Sequence, residues 1–109
     1  MERLHTLTKA SIGTVAYQGA QGSHAVAQWL LDNPNQTWNN GYLIHLEAED
    51  LDFWKFKLDS LGIKYSEFIE PDRGNIITSI AVLGHDRLFK KLKLIGWREA
   101  KQNTAAIAA

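Results

Sequence analysis

The sequence predicts an α/β domain: a small mixed β-sheet of about four strands, covered by helices on both faces, in the order βαβαββα. Three observations carry this. Asp50 to Leu61 and His85 to Ile95 place apolar residues at helical spacing. Tyr42 to Leu46 and Ile76 to Leu83 are short apolar runs of the kind found in buried strands. Between these segments lie clusters of Asn, Gly, Pro and Asp, the residues of turns. At 109 residues the chain is one ordinary domain with room for a single core.

Taken in order, Leu4 to Lys9 is a weak first strand. Ile12 to Gln18 reads two ways: a strand ending in a glycine turn, or the first turns of the next helix, where Gly19 and Gly22 would each cost roughly 1 kcal/mol against Ala. Ser23 to Leu31 is helical by its Ala, Gln and Leu content and stops by Asn33-Pro34. Tyr42 to Leu46 is a strand bounded by Asn39-Asn40-Gly41. Asp50 to Leu61 is an amphipathic helix on Leu51, Trp54, Leu58 and Leu61, with Gly62 at its C-terminal cap. Ile63 to Ile69 is extended, and pairing it with the strand before the helix makes the two parallel. The short turn Glu70-Pro71-Asp72-Arg73-Gly74-Asn75 makes Ile76 to Leu83 an antiparallel neighbour of the strand that precedes it. His85 to Ile95, with Leu88, Phe89, Leu92 and Ile95 on one stripe, is read as a closing helix that turns Lys90 and Lys91 to solvent. Residues 1–97 form the domain and 98–109 a flexible tail.

Composition narrows the functional classes. The chain has no cysteine, which excludes disulfides, a thiol nucleophile and a thiolate metal site. Its four histidines show no metal-binding spacing, so no metal and no cofactor are expected. No apolar run approaches the ~20 residues of a membrane span, and Met1-Glu2-Arg3-Leu4 does not start a signal peptide, so the expected setting is the cytoplasm. Twelve basic and twelve acidic residues cancel, but from His85 onward six basic residues face two acidic ones. That end can meet phosphates.

Three stretches hold the candidate chemistry: Tyr17-Gln18-Gly19-Ala20-Gln21-Gly22-Ser23-His24-Ala25, the acidic turn Glu70 to Asn75, and Ile77-Thr78-Ser79-Ile80-Ala81-Val82. Histidine has the ordinary pKa of a general base near neutral pH, so His24 suits activation of water, and Glu70 or Asp72 suits orientation of its ring. The helix amides near Gly19 to Gly22 are a candidate anion site. His45 lies in an apolar strand and reads as a core histidine. Trp29 and Trp54 read as core; Trp38 and Trp97, in loop contexts, can pack or stack on a base.

Gln-x-x-His-Ala on a first helix, then Trp38, a strand-helix-strand unit, and Phe-x-Glu-Pro-Asp running into Thr-x-Ile-Ala-Val together resemble the type 2 peptidyl-tRNA hydrolase family, in particular its small phage-type members. The resemblance spans residues 14 to 95. It implies a mixed sheet between helices and hydrolysis of the ester joining a peptide, or an aminoacyl group, to tRNA. It also implies a site holding His24 and an acid, Asp72 or Glu70, with Tyr17, Gln18, Gln21, Arg73, Asn75, Thr78, Lys90 and Lys91 on the substrate. Two departures stand out: Tyr17 falls where the family has a lysine, and the family's Asp-Ala-Gly-Arg-Thr-Gln turn is shortened here. The partner expected is therefore tRNA or a nucleotide, with a homodimer a further expectation. The alternative is a non-catalytic member that sequesters tRNA or a small nucleotide, for example as a phage counter-defence protein.

Overall fold

In the computed structural model, which describes residues 2–36 and 38–100, the first strand is the centre of the sheet. Strand β1 (Glu2–Lys9) is buried on both faces, with Leu4, His5, Thr6, Leu7 and Thr8 all 0–1% exposed. A run that mixes apolar and hydroxyl side chains reads weakly as a strand, yet those residues suit a position covered on both sides. Its neighbours are β2 (Leu43–Ala48), parallel, and β4 (Ile76–His85), antiparallel. Beyond β4 lies β3 (Tyr65–Glu70), antiparallel to it as expected from the short turn, and beyond β2 lies a two-residue strand β5 (Lys93–Leu94). The order is β3-β4-β1-β2-β5.

Helix α1 (Val15–Asp32) joins β1 to β2, and α2 (Leu51–Ser60) joins β2 to β3. Of the two readings of residues 12–18, the helical one holds: Thr14 caps α1 by accepting from the Tyr17 N–H at 3.1 Å. Gly19 and Gly22 are consequently inside the helix, where their N–H groups serve its own ladder, and the anion site expected there falls away. Asp50 caps α2 and Gly62, at φ +68°, terminates it.

The expected pairing of the strands on either side of α2 is not found. The two run parallel but are separated by β1 and β4, so α2 crosses the sheet and buries Trp54 and Leu58 against Leu7, Leu46, Ile80 and Val82. On the other face α1 packs Ala25 and Trp29 onto Leu4 and Ala81, with Trp38 and Phe68 beside them.

The closing helix over 85–95 is also not found. β4 runs on to His85 because β1 starts at Glu2 and pairs with it. A 3₁₀ turn, Asp86–Phe89, then sends Phe89 into the α2-side core, and the chain folds along the open edge of β2, where the Ile95 N–H donates to the His45 carbonyl. An isolated helix of that length is marginal, whereas the edge of β2 offers backbone groups that need partners. Lys90 and Lys91 are exposed, as expected, but in the turn between Phe89 and β5 rather than on a helix. Of the segment expected as a tail, Arg98 is tied to Glu47 at 3.0 Å, and residues 101–109 lie outside the described residues. Among the described residues no helix is long and apolar enough to cross a membrane.

Candidate functional site

The face of the sheet beneath α1 divides in two. Under the C-terminal half of the helix it is apolar, and under the N-terminal half it is lined by hydroxyl, amide, imidazole and carboxyl groups. The polar half sits at the carboxyl ends of β1, β2 and β3, which run parallel. Its first layer is fixed by short bonds: Thr8 Oγ1 to Ser79 Oγ at 2.9 Å, and Thr6 Oγ1 to His45 Nδ1 at 2.5 Å. Gly22 passes directly over His45. Burial holds the His45 imidazole below the usual histidine pKa.

The centre of the polar half is Gln21. Its Nε2 donates to Glu70 Oε2 at 2.8 Å, and its Oε1 accepts from Thr78 Oγ1. All three are buried, at 2%, 8% and 0% exposure. Thr78 reaches Gln21 because of a bulge: between Phe68 and Ile69 the partner advances from Ser79 to Ile77, leaving Thr78 as the extra residue. Ser79 and Thr78 thus both face α1, one toward Thr8 and the other toward Gln21.

Glu70 ends β3 and begins the turn. Its other oxygen, Oε1, accepts from the Asp72 N–H at 3.1 Å. The Gln21 hydrogen bond, then the Asp72 N–H, hold its carboxyl below the usual glutamate range, with smaller electrostatic help from His24 and Arg73. Of the two acids expected, Glu70 is therefore the one inside the site. Asp72 contributes its backbone N–H, while its side chain stays exposed in the turn.

His24, one turn after Gln21, is exposed and lies flat on Phe68, the ring centroids 4.5 Å apart and the planes 10° from parallel. Arg73 spans the entrance from the other side. Its Nη2 donates to the Ile12 carbonyl at 2.9 Å, and its guanidinium lies 5.0 Å from the centre of the Tyr17 ring. Tyr17 thus holds a cation over itself at the position where the resemblance implies a lysine.

The fold brings together His24, Gln21, Glu70, Thr78, Tyr17 and Arg73. Four expected residues lie elsewhere. Gln18, buried on the same face of α1 one turn before Gln21, donates instead to the Ala10 carbonyl at 2.8 Å. Asn75, in the left-handed conformation at φ +62°, lines a cleft on the α2 side with Lys9 and Asp50. Lys90 and Lys91 stand at the far edge of the sheet, beside β5. Phe68, as the seat of His24, and the Thr6-His45 and Thr8-Ser79 pairs were not expected from the sequence; the alternation of Phe68 and Glu70 along β3 was the available signal for the first. Among the described residues no group of His, Asp and Glu is arranged to hold a metal ion. Comparison of the chain with protein-family models, with curated proteins and with solved structures finds no match.

Proposed function

We propose that this protein hydrolyses the ester that joins a peptide or aminoacyl group to tRNA, as its sequence resemblance implies. The observation that carries the reading is the Gln21-Glu70-Thr78 chain. Residues 49 and 57 positions apart in sequence meet through two hydrogen bonds, and one turn further along the same helix stands the surface histidine His24 on Phe68. A buried amide and hydroxyl are well suited to fix a carboxylate, and a fixed carboxylate next to an exposed imidazole favours the charged form that proton abstraction creates.

In this reading His24 takes the proton of the attacking water and Glu70 stabilises the imidazolium. Arg73 has guanidinium N–H groups left beyond its bond to Ile12, and these meet the developing oxyanion or the neighbouring phosphate. Gln21 and Thr78 are too buried to touch substrate and act as positioning residues. Their burial also favours a second reading, in which the same surface binds tRNA or a nucleotide without turning it over.

The test is release of labelled peptide from a model peptidyl-tRNA. Replacing His24 with alanine is expected to lower kcat by about 10²-fold or more, the range that loss of a general base reaches. An unchanged rate removes His24 from the mechanism. Binding of tRNA by the wild type without release selects the second reading.

A further inference from the structure

On a chain of zero formal charge, residues 87–98 hold five of the twelve basic side chains and no acidic one. The fold concentrates them further. Leu88, Phe89 and Leu92 turn into the α2-side core, which leaves Lys90, Lys91 and Lys93 exposed on the segment that runs into β5, with Arg87 exposed further back, in the turn that follows the Glu2–His85 pair. None of these four makes an ion pair among the described residues.

At the end of this strip stands Trp97. Its Nε1 donates to the buried Glu47 carboxylate at 2.9 Å, which fixes the ring. Lys93 Nζ and the Arg98 guanidinium lie 5.6 and 4.7 Å from the ring centre. Of the two acids in the cleft beside the strip, Glu47 is engaged by Trp97 and Arg98, which leaves Glu49 as one carboxylate facing Lys91 and Lys93.

The strip is placed with respect to the candidate site. Lys93 pairs with Glu47, near the carboxyl end of β2, and Glu70 closes the carboxyl end of β3, which runs parallel to β2. Both therefore lie at one end of the sheet, four strand spacings apart, or about 19 Å at ~4.8 Å each. A mononucleotide cannot bridge that span; a polynucleotide can.

We propose that Lys90, Lys91, Lys93 and Trp97 form the docking strip for the RNA part of the substrate. The cations meet successive phosphates and the tryptophan offers an edge or face to a base. This rests on the reading of the Gln21-Glu70-His24 site as acting on an RNA-borne ester. Alternation of cations with an aromatic ring is what a phosphate-and-base polymer needs, whereas an acidic peptide would use the cations alone.

The experiment measures binding of deacylated tRNA by fluorescence anisotropy over a salt series. It compares wild type, Lys90→Ala with Lys91→Ala, and the charge-keeping Lys90→Arg with Lys91→Arg. The alanine pair is expected to weaken binding about tenfold at low salt and to make the log-log salt slope shallower by about 1.4–1.8, since each phosphate contact contributes about 0.7–0.9. The arginine pair is expected to match wild type. In hydrolysis, the alanine pair should raise KM for peptidyl-tRNA with kcat unchanged, and leave an N-blocked aminoacyl ester of adenosine, too short to reach the strip, unaffected.

Unaltered affinity and slope in the alanine pair overturn the proposal. So does an equal loss on the short ester, and so does displacement of labelled tRNA by polyglutamate as readily as by polyuridylate at matched charge. Salt-dependent tRNA binding through the lysines with no hydrolysis by wild type overturns the hydrolase reading and leaves the strip standing. Hydrolysis with unaltered KM in the alanine pair does the reverse.

Discussion

Two glycines inside α1 give a matched pair for testing how the helix sits on the sheet. Gly19 and Gly22 share one helix, and on propensity alone replacing either by alanine gains about 1 kcal/mol. Their surroundings differ. A Cβ at Gly19 meets nothing within 4 Å, whereas a Cβ at Gly22 falls 2.7 Å from His45 Nδ1, 3.0 Å from His45 Cε1 and 3.0 Å from Thr6 Oγ1. The imidazole cannot swing clear without giving up its bond to Thr6. The overlap costs about 2–3 kcal/mol, toward the upper part of the range for overpacking. Gly19→Ala is thus expected to stabilise by about 1 kcal/mol, and Gly22→Ala to destabilise by about 1–2 kcal/mol. For a domain of this size that raises Tm by about 5 °C in the first variant and lowers it by at least as much in the second. Urea titration and calorimetry read both. In a His45→Ala background, where the ring is gone, most of the Gly22→Ala penalty should vanish. A Gly22→Ala variant as stable as Gly19→Ala would refute the close approach of α1 to β2 and the geometry of the site built on it.

Thr78→Val keeps the shape of the side chain but leaves Gln21 Oε1 buried without a donor, for an expected loss of about 1–3 kcal/mol in urea unfolding. Glu70 gives a signed dependence on pH. Its carboxyl titrates below the ordinary glutamate range, chiefly because Gln21 bonds its ionised form, so its contribution is fully present above the unfolded value and is lost as pH falls through the lowered one. Thermal melts from about pH 6 to about pH 3 should show that loss in wild type and a flatter curve in Glu70→Gln. In the same variant, peptide release is expected to fall by about tenfold or more, with the loss in kcat, because His24 keeps its place on Phe68 but loses the charge beneath it.

The parts of the fold that were legible are those where local pattern and tertiary need agree. Asp50 to Leu61 has a cap, a stripe and a terminating glycine, and it is a helix of nearly those bounds. The Glu70 to Asn75 turn forced β3 and β4 together as antiparallel neighbours. Legibility failed where pairing decided the outcome. Leu88, Phe89, Leu92 and Ile95 fall on a helical stripe, yet the same residues satisfy the core and the edge of β2 from a 3₁₀ turn and a short strand. Helical spacing says which residues are apolar; it carries no information about an unpaired strand edge waiting some forty residues upstream. Likewise nothing local tells β2 and β3 that β1 and β4 will lie between them.

The candidate site shows the same division at the scale of single residues. Gln21, His24 and the acidic turn were legible as a group because their types and order suit one chemistry, but the choice between Glu70 and Asp72 was not. Sequence spacing treats the two as near equivalents two positions apart. Strand geometry separates them: Glu70 is the last residue of β3 and its side chain is held under α1, while Asp72 has entered the turn and turned outward. The bulge sharpens this. In a regular strand, residue 78 would share the face of Ile80 and Val82 and meet α2; the bulge turns Thr78 to Gln21 instead. One inserted residue in β4 therefore supplies the hydroxyl that completes the chain to Glu70, and shortening β4 by that residue should remove the link from Gln21 to β4, leaving its bond to Glu70 on β3, while the strands on either side still pair.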